Sequence, residues 1–214
     1  PLMVAHTTEI LKRAHDYGIY TSMNTNGVYV KDKIKELKGA IDLLYISLDS
    51  PHAEMHEELR GVKNIFPKIM DSIKAAKAAG INIAINMTVT KKNFSHMDEM
   101  CQLAQELNVP VYLRPVSVIP TEFNDVSSAS ELKYEKENHV TAVRELKKKY
   151  KNIKTSTAYL NFMENKGFSN YQCKAMRISL NIKPDGSIVL PCGYYPVYKF
   201  ERNGKTLKEV ITSS

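Results

Sequence analysis

The chain has 214 residues, 43% hydrophobic and 25% charged, with a net charge of +7, an ordinary composition for one large globular domain or one domain with a small appendage. No apolar run is long enough to cross a bilayer. Much of the positive charge lies on helix surfaces such as Lys147-Lys148-Lys149, and with no nucleic-acid motif and no interleaved aromatic platform it reads as solvated surface.

In chain order, residues 6–17 read as an amphipathic helix with Ile10, Leu11 and Ala14 at helical spacing and Gly18 as its stop. Residues 19–24 read as a strand ending in the turn Asn24-Thr25-Asn26-Gly27, and residues 30–37 as a short helix. Residues 43–49 alternate strictly, Leu44, Ile46 and Leu48 on one face and Tyr45, Ser47 and Asp49 on the other. Residues 52–61 read as a loop with a helical turn, and residues 65–79 as a helix closed by Gly80. A second alternating strand follows, with Ile83, Ile85, Met87 and Val89 opposing Ala84, Asn86 and Thr88. Ser95 is the expected N-cap of a helix to about Leu107. The strand of residues 109–114 then puts Tyr112 and Arg114 opposite Val111 and Leu113. Residues 115–129 form a polar connection, and Ser130 is placed to cap a charged helix to Tyr150. Residues 177–183 and 187–190 read as strands joined by Pro184-Asp185-Gly186, a hairpin signal.

A helix between two strands calls for a crossover and parallel pairing. Parallel strands are normally covered on both faces, so their polar face is expected to line a cleft or barrel mouth, with the site at the C-terminal strand ends. There is no G-x-G-x-x-G and no Walker loop, which argues against a dinucleotide fold. The expected architecture is α/β: a partial (β/α) TIM-like barrel over residues 1–154, with a small hairpin-containing extension over residues 155–214. Three cysteines, Cys101, Cys173 and Cys192, favour a reducing, cytoplasmic compartment and metal or core roles over disulfides.

These residues resemble one family. Pro1-Leu2 is similar to the tail of a Gly-Gly-Glu-Pro-Leu motif, and Asn24-Thr25-Asn26-Gly27 closes its strand as a Thr-Asn-Gly turn does in radical S-adenosylmethionine (radical SAM) enzymes. Ile46-Ser47-Leu48-Asp49 followed by His56 and Leu59-Arg60-Gly61 resembles that family's fourth strand and its follow-on, and Asn86-Met87-Thr88-Val89 with Asn93 its fifth. Cys173, Ile182-Lys183-Pro184-Asp185-Gly186, Pro191-Cys192 and Leu207-Lys208-Glu209-Val210 resemble the opening of a SPASM or twitch domain. Five residues separate Gly186 from Cys192, one more than in the family pattern. The family's Cys-x-x-x-Cys-x-x-Cys loop has no counterpart in the sequence. The resemblance therefore implies a fragment of a radical SAM enzyme whose barrel is missing its first strands, inactive and hard to keep soluble by itself. The resemblance implies reductive cleavage of S-adenosylmethionine at a [4Fe–4S] cluster, an auxiliary iron–sulfur cluster, an external electron donor and a small-molecule or peptide substrate.

By resemblance Pro1, Asn24 and Thr25 fall at cofactor-binding positions. Ser47 and Asn86, short polar groups near strand ends, suit the hydroxyls of a ribose or local backbone. Asp49 is placed either for the cofactor or substrate or to cap the next loop, and Arg114 either for a bidentate contact with the carboxylate of the cofactor's methionine or for an ion pair with a barrel carboxylate. By resemblance Cys173 and Cys192 would ligate the auxiliary cluster, while Cys101 reads as a buried apolar residue. Two rival readings compete with this one: a zinc hydrolase or lyase built on His52 and His56, whose spacing puts two imidazoles on one helix face, and a degenerate barrel that binds a partner.

Overall fold

A computed structural model describes residues 1–116, 136–164, 181–182, 188–190, 198–200 and 204. Helix α1 (Thr7–Asp16) leads to β1 (Ser22–Thr25), α2 (Ile34–Leu37), β2 (Leu43–Ser47), α3 (Ala53–Arg60), α4 (Phe66–Ala78), β3 (Ile83–Val89), α5 (Met97–Glu106) and β4 (Val111–Pro115). Helices α6 (Lys136–Lys149) and α7 (Thr157–Glu164) follow, then β5 (Asn181–Ile182), β6 (Ile188–Leu190) and β7 (Tyr198–Phe200).

Strands β1 to β4 pair in parallel, side by side in chain order. This is the expected α/β architecture. Residue 153 extends the series, since Ile153 bridges Val111 in parallel. The Thr155 hydroxyl accepts the Leu113 N–H at 2.9 Å. Thr155 and Leu160, both past residue 154, are buried with the rest of the core. Strands β5, β6 and β7 form a separate antiparallel sheet. Its β5–β6 pairing matches the hairpin signal, and β7 was not foreseen.

The core lies on one face of the parallel sheet. Leu44, Ile46, Leu48, Ile85, Met87, Val111 and Leu113 are all but inaccessible there. Helix α4 meets this face with Ile69, Ser72, Ile73 and Ala76, and α5 with Met97, Met100, Cys101 and Ala104. Both sets follow the i, i+3, i+4, i+7 rule of an amphipathic helix. Burying each large side chain is worth about 2 kcal/mol. Gly80 at φ +76° ends α4 as expected.

Three local expectations need correction. Residues 53–60 are a full helix, not a loop. Its buried residue is His56, so it has no apolar stripe to read; Glu-Glu-Leu-Arg and the left-handed Gly61 cap hold it together. Ser95 is not an N-cap, because it lies inside a 3₁₀ turn (Phe94–His96) that precedes α5. The Asn93 side chain instead organises that entry, accepting the Thr90 N–H at 2.6 Å. Residues 19–21 lie outside β1, with Ile19 and Tyr20 exposed and Thr21 fixed to Asp42. Strand β1 has β2 as its one neighbour among the described residues. Ser130 and the hairpin turn lie outside the described residues.

Candidate functional site

A cavity of about 240 Å³ opens at the C-terminal end of β1 and β2, lined by Pro1, Leu2, Met3, Asn24, Thr25, Asn26, Tyr29 and Ser47. Four of the residues singled out from the sequence, Pro1, Asn24, Thr25 and Ser47, thus share one wall. Leu2, Met3, Asn26 and Tyr29 were not singled out, because a lining residue in a loop carries no periodic signal. The turn after β1 shapes this wall. The Gly27 N–H donates to Thr25 Oγ1 at 3.2 Å, and the Val28 N–H donates to Asn26 Oδ1 at 3.3 Å. Gly27 has φ +83°, and a Cβ there would sit 2.9 Å from Ile46 Cγ2, so both its backbone angle and its close approach demand glycine.

The polar face of the sheet forms the floor beside this cavity. Asn24, Tyr45, Ser47, Asn86, Thr88, Tyr112 and Arg114 alternate with the core residues and stay partly or fully exposed. Ser47 is in register with Asn86, and Asn86 with Tyr112. Adjacent strands lie about 4.8 Å apart, close enough for two such side chains to touch one sugar. Among the described residues Asn86 Oδ1, which is buried, has no hydrogen-bond partner. An amide oxygen left so in the folded chain costs about 1–3 kcal/mol, which a ligand hydroxyl would recover. Tyr45 and Tyr112 meet edge to face, ring centroids 5.4 Å apart. The Arg114 guanidinium lies over the Tyr112 ring at 5.6 Å. The Tyr112 phenol is pushed above its ordinary value, chiefly by burial and then by a hydrogen bond with Tyr45.

Asp49 sits apart from this floor. Its Oδ1 accepts the Thr88 N–H at 2.9 Å, and its Oδ2 lies 2.6 Å from Arg60 Nε. The Asp49 N–H donates to His56 Nδ1 at 3.1 Å, and the Asn93 amide donates to the Asp49 carbonyl at 2.7 Å. The Asp49 carboxylate thus reaches a neighbouring strand and α3 rather than the N–H groups of the loop that follows it. With both carboxylate oxygens engaged, Asp49 ties β2 to β3. Burial pushes the His56 pKa down, and its acceptor role at Nδ1 requires the neutral ring with the proton on Nε2. Asn93 and Arg60 were visible in the sequence as family-like residues, but their partnership with Asp49 spans distances that no local pattern reports.

The two histidines of the zinc reading do not converge. His56 is buried against Phe66, ring centroids 6.1 Å apart. His52 is half exposed, pairs with Glu99 at 2.8 Å and stacks edge-on against His96. No group of three or more His, Cys, Asp or Glu among the described residues could hold a metal ion. Cys101 is buried in α5, and burial pushes its thiol up to about 12, so it is the packing residue expected and not a thiolate ligand. Among the described residues no set of thiolates is placed to hold an iron–sulfur cluster. Cys173 and Cys192 lie outside the described residues.

Residues 1–104 match the family model for the radical SAM superfamily. The AdoMet-dependent heme synthase of Methanosarcina barkeri is 28% identical over 223 residues, covering 92% of this chain and 61% of the relative. The PqqA peptide cyclase of Ruegeria pomeroyi is 25% identical over 219 residues, covering 94% of this chain and 56% of the relative. The fold is similar to that of native anSMEcpe with bound AdoMet, with a TM-score of 0.64 at 17% identity over 95% of this chain and 60% of that one. The chain thus spans somewhat more than half the length of each of these three proteins. The domain match and the relatives support a radical SAM enzyme and do not favour the zinc reading.

Proposed function

We propose that the full-length protein is a radical SAM enzyme and that this chain supplies the wall and floor that orient its S-adenosylmethionine. The observation that carries the reading is the register of Ser47 with Asn86 beside the cavity, with Asn86 Oδ1 lacking a partner among the described residues. Ser47 and Asn86 would hold the ribose hydroxyls. Asn24, Thr25 and the backbone of Pro1 would line the methionine end. Bound beside a reduced [4Fe–4S] cluster, S-adenosylmethionine supplies the 5′-deoxyadenosyl radical that removes a hydrogen atom from a substrate. The cofactor carries that chemistry, and the protein orients it and excludes side reactions.

In this reading the electron comes from an external donor, and the substrate is a small molecule or peptide. Cys173 and Cys192 are proposed ligands of an auxiliary iron–sulfur cluster in a SPASM-like or twitch-like region, and the setting is cytoplasmic, where thiolates stay reduced. Among the described residues no helix is long and apolar enough to cross a membrane.

The test is made on the full-length protein purified without oxygen. With dithionite and S-adenosylmethionine it is expected to contain iron and sulfide and to release 5′-deoxyadenosine and methionine. Ser47→Ala and Asn86→Ala are each expected to weaken S-adenosylhomocysteine binding about tenfold, the scale of one lost polar contact. Protein without iron or sulfide, or variants that bind as the wild type does, would overturn the reading.

A further inference from the structure

Arg114 does not line the β1–β2 cavity. It stands on β4, in register with Thr88, and its guanidinium lies over the Tyr112 ring. A ring contact at 5.6 Å is not an N–H···O bond, so it does not use up the guanidinium's capacity for a bidentate acceptor. Among the described residues Arg114 has no carboxylate partner, and the polar floor around it carries no acid. Asp49 cannot serve, because its two oxygens are held by Thr88 and Arg60. The floor at β4 therefore presents one fixed cation beside a pair of phenols. Burial and its hydrogen bond with Tyr45 hold the Tyr112 phenol above its ordinary value, so the phenol pair stays neutral and sets no negative charge beside Arg114.

We infer that Arg114, together with the Tyr45–Tyr112 pair, forms an anion-accepting subsite distinct from the nucleoside cavity, and that the substrate carries a carboxylate seated there. The inference rests on the proposed placement of the nucleoside at Ser47 and Asn86. A carboxylate could reach Arg114 from two sources, the substrate or the methionine end of the cofactor. The cavity bounded by Pro1 and Asn24 takes the methionine end in that placement, and β4 lies three positions along the sheet from β1. This arrangement assigns Arg114 to the substrate.

The experiment uses the full-length protein and two probes, with folding checked by circular dichroism. The first probe is 4-fluorobenzoate followed by fluorine NMR, with 4-fluorobenzamide as its uncharged control. The wild type is expected to bind the benzoate in preference to the benzamide. Arg114→Met is expected to weaken the benzoate about tenfold, the scale of a lost charge-assisted contact. Arg114→Lys, which keeps charge but loses the fork, should fall between, and Tyr112→Phe should weaken it about threefold. The second probe is S-adenosylhomocysteine, whose affinity Arg114→Met should leave within about twofold. Equal binding of benzoate and benzamide, or no effect of Arg114→Met on benzoate, overturns the inference. So does a loss of S-adenosylhomocysteine binding in Arg114→Met as large as in Ser47→Ala, since Arg114 would then serve the cofactor. Failure of the wild type to bind S-adenosylhomocysteine counts instead against the proposed function, and the benzoate titration reads independently of it.

Discussion

Asp49 Oδ1 accepts the Thr88 N–H at 2.9 Å, which fastens the end of β2 to β3 two residues past Asn86. The register that brings Ser47 beside Asn86 thus ends on a buried carboxylate rather than on a free strand end. Arg60 balances that charge from α3, His56 holds the Asp49 N–H, and Asn93 holds its carbonyl. Each of the three contacts comes from a segment that follows a strand, so the loops at this end of the sheet are locked to one another around Asp49.

Asp49→Ala should therefore cost about 3 kcal/mol, because it strands Arg60 and leaves the Thr88 N–H without an acceptor. Asp49→Asn restores an acceptor but no charge and should recover part of that loss. Urea denaturation monitored by circular dichroism measures both, with the midpoint moving at constant slope. A midpoint for Asp49→Ala equal to that of the wild type would mean that the carboxylate is incidental to the fold. The same variant should weaken S-adenosylhomocysteine binding, since it frees the strand ends that hold Ser47 and Asn86.

Acid should destabilise the fold through buried histidine. Burial pushes the His139 pKa down to about 4 from an unfolded value of about 6.5. The unfolded chain then takes up a proton that the folded chain refuses. The contribution is complete above pH ~6.5 and is lost as the pH falls toward about 4, reaching about 2 kcal/mol by pH 5. His56, also lowered by burial, adds in the same direction. Unfolding free energies at pH 7 and pH 5 should differ less in His139→Gln than in the wild type. Parallel pH profiles for the two proteins would refute the assignment to His139.

The strands were legible from sequence because a parallel sheet with one polar face still alternates with period two. Residues 43–47 and 83–89 declare that face residue by residue, and Ser47 and Asn86 could be placed on it without coordinates. Helices α4 and α5 were legible through their apolar stripes. Helix α3 was not, because its buried residue is a histidine that serves a backbone N–H seven residues earlier. The tie that Asp49 makes to β3 and α3 was also hidden, since its partners Thr88 and Arg60 are 39 and 11 positions away. The meeting of Tyr45 with Tyr112 spans two strands that are not neighbours, with β3 between them. Such long-range pairings follow from register, which one sequence does not display.

Gly27 offers a test of the turn that walls the cavity. Gly27→Ala must hold φ near +83° and press its methyl to 2.9 Å from Ile46 Cγ2, a cost of about 1–3 kcal/mol. Ile46→Leu removes the Cγ2 atom at nearly constant volume. If the clash matters, the double variant should be more stable than the sum of the two single changes predicts, while the backbone strain persists. Melting temperatures of the four proteins give the coupling. Strict additivity would assign the whole cost to the backbone angle.

Beyond β4 the sheet is continued partly by a side chain. The Val111 N–H donates to the Asn152 carbonyl at 3.0 Å, and the Lys154 N–H donates to the Val111 carbonyl at 2.9 Å. At the next rung the Thr155 hydroxyl substitutes for backbone, accepting the Leu113 N–H at 2.9 Å and donating to the Leu113 carbonyl at 3.2 Å. Leu113 is fully buried, so water cannot replace that partner. Thr155→Val keeps the shape and removes both bonds, and should cost about 2 kcal/mol. Thr155→Ser, which keeps the hydroxyl, should cost less than half as much. Hydrogen exchange gives the local readout: the Leu113 amide should lose protection in Thr155→Val beyond the global loss of stability. Were its protection to fall only in step with the other amides of β4, the hydroxyl would not be the partner that holds this edge.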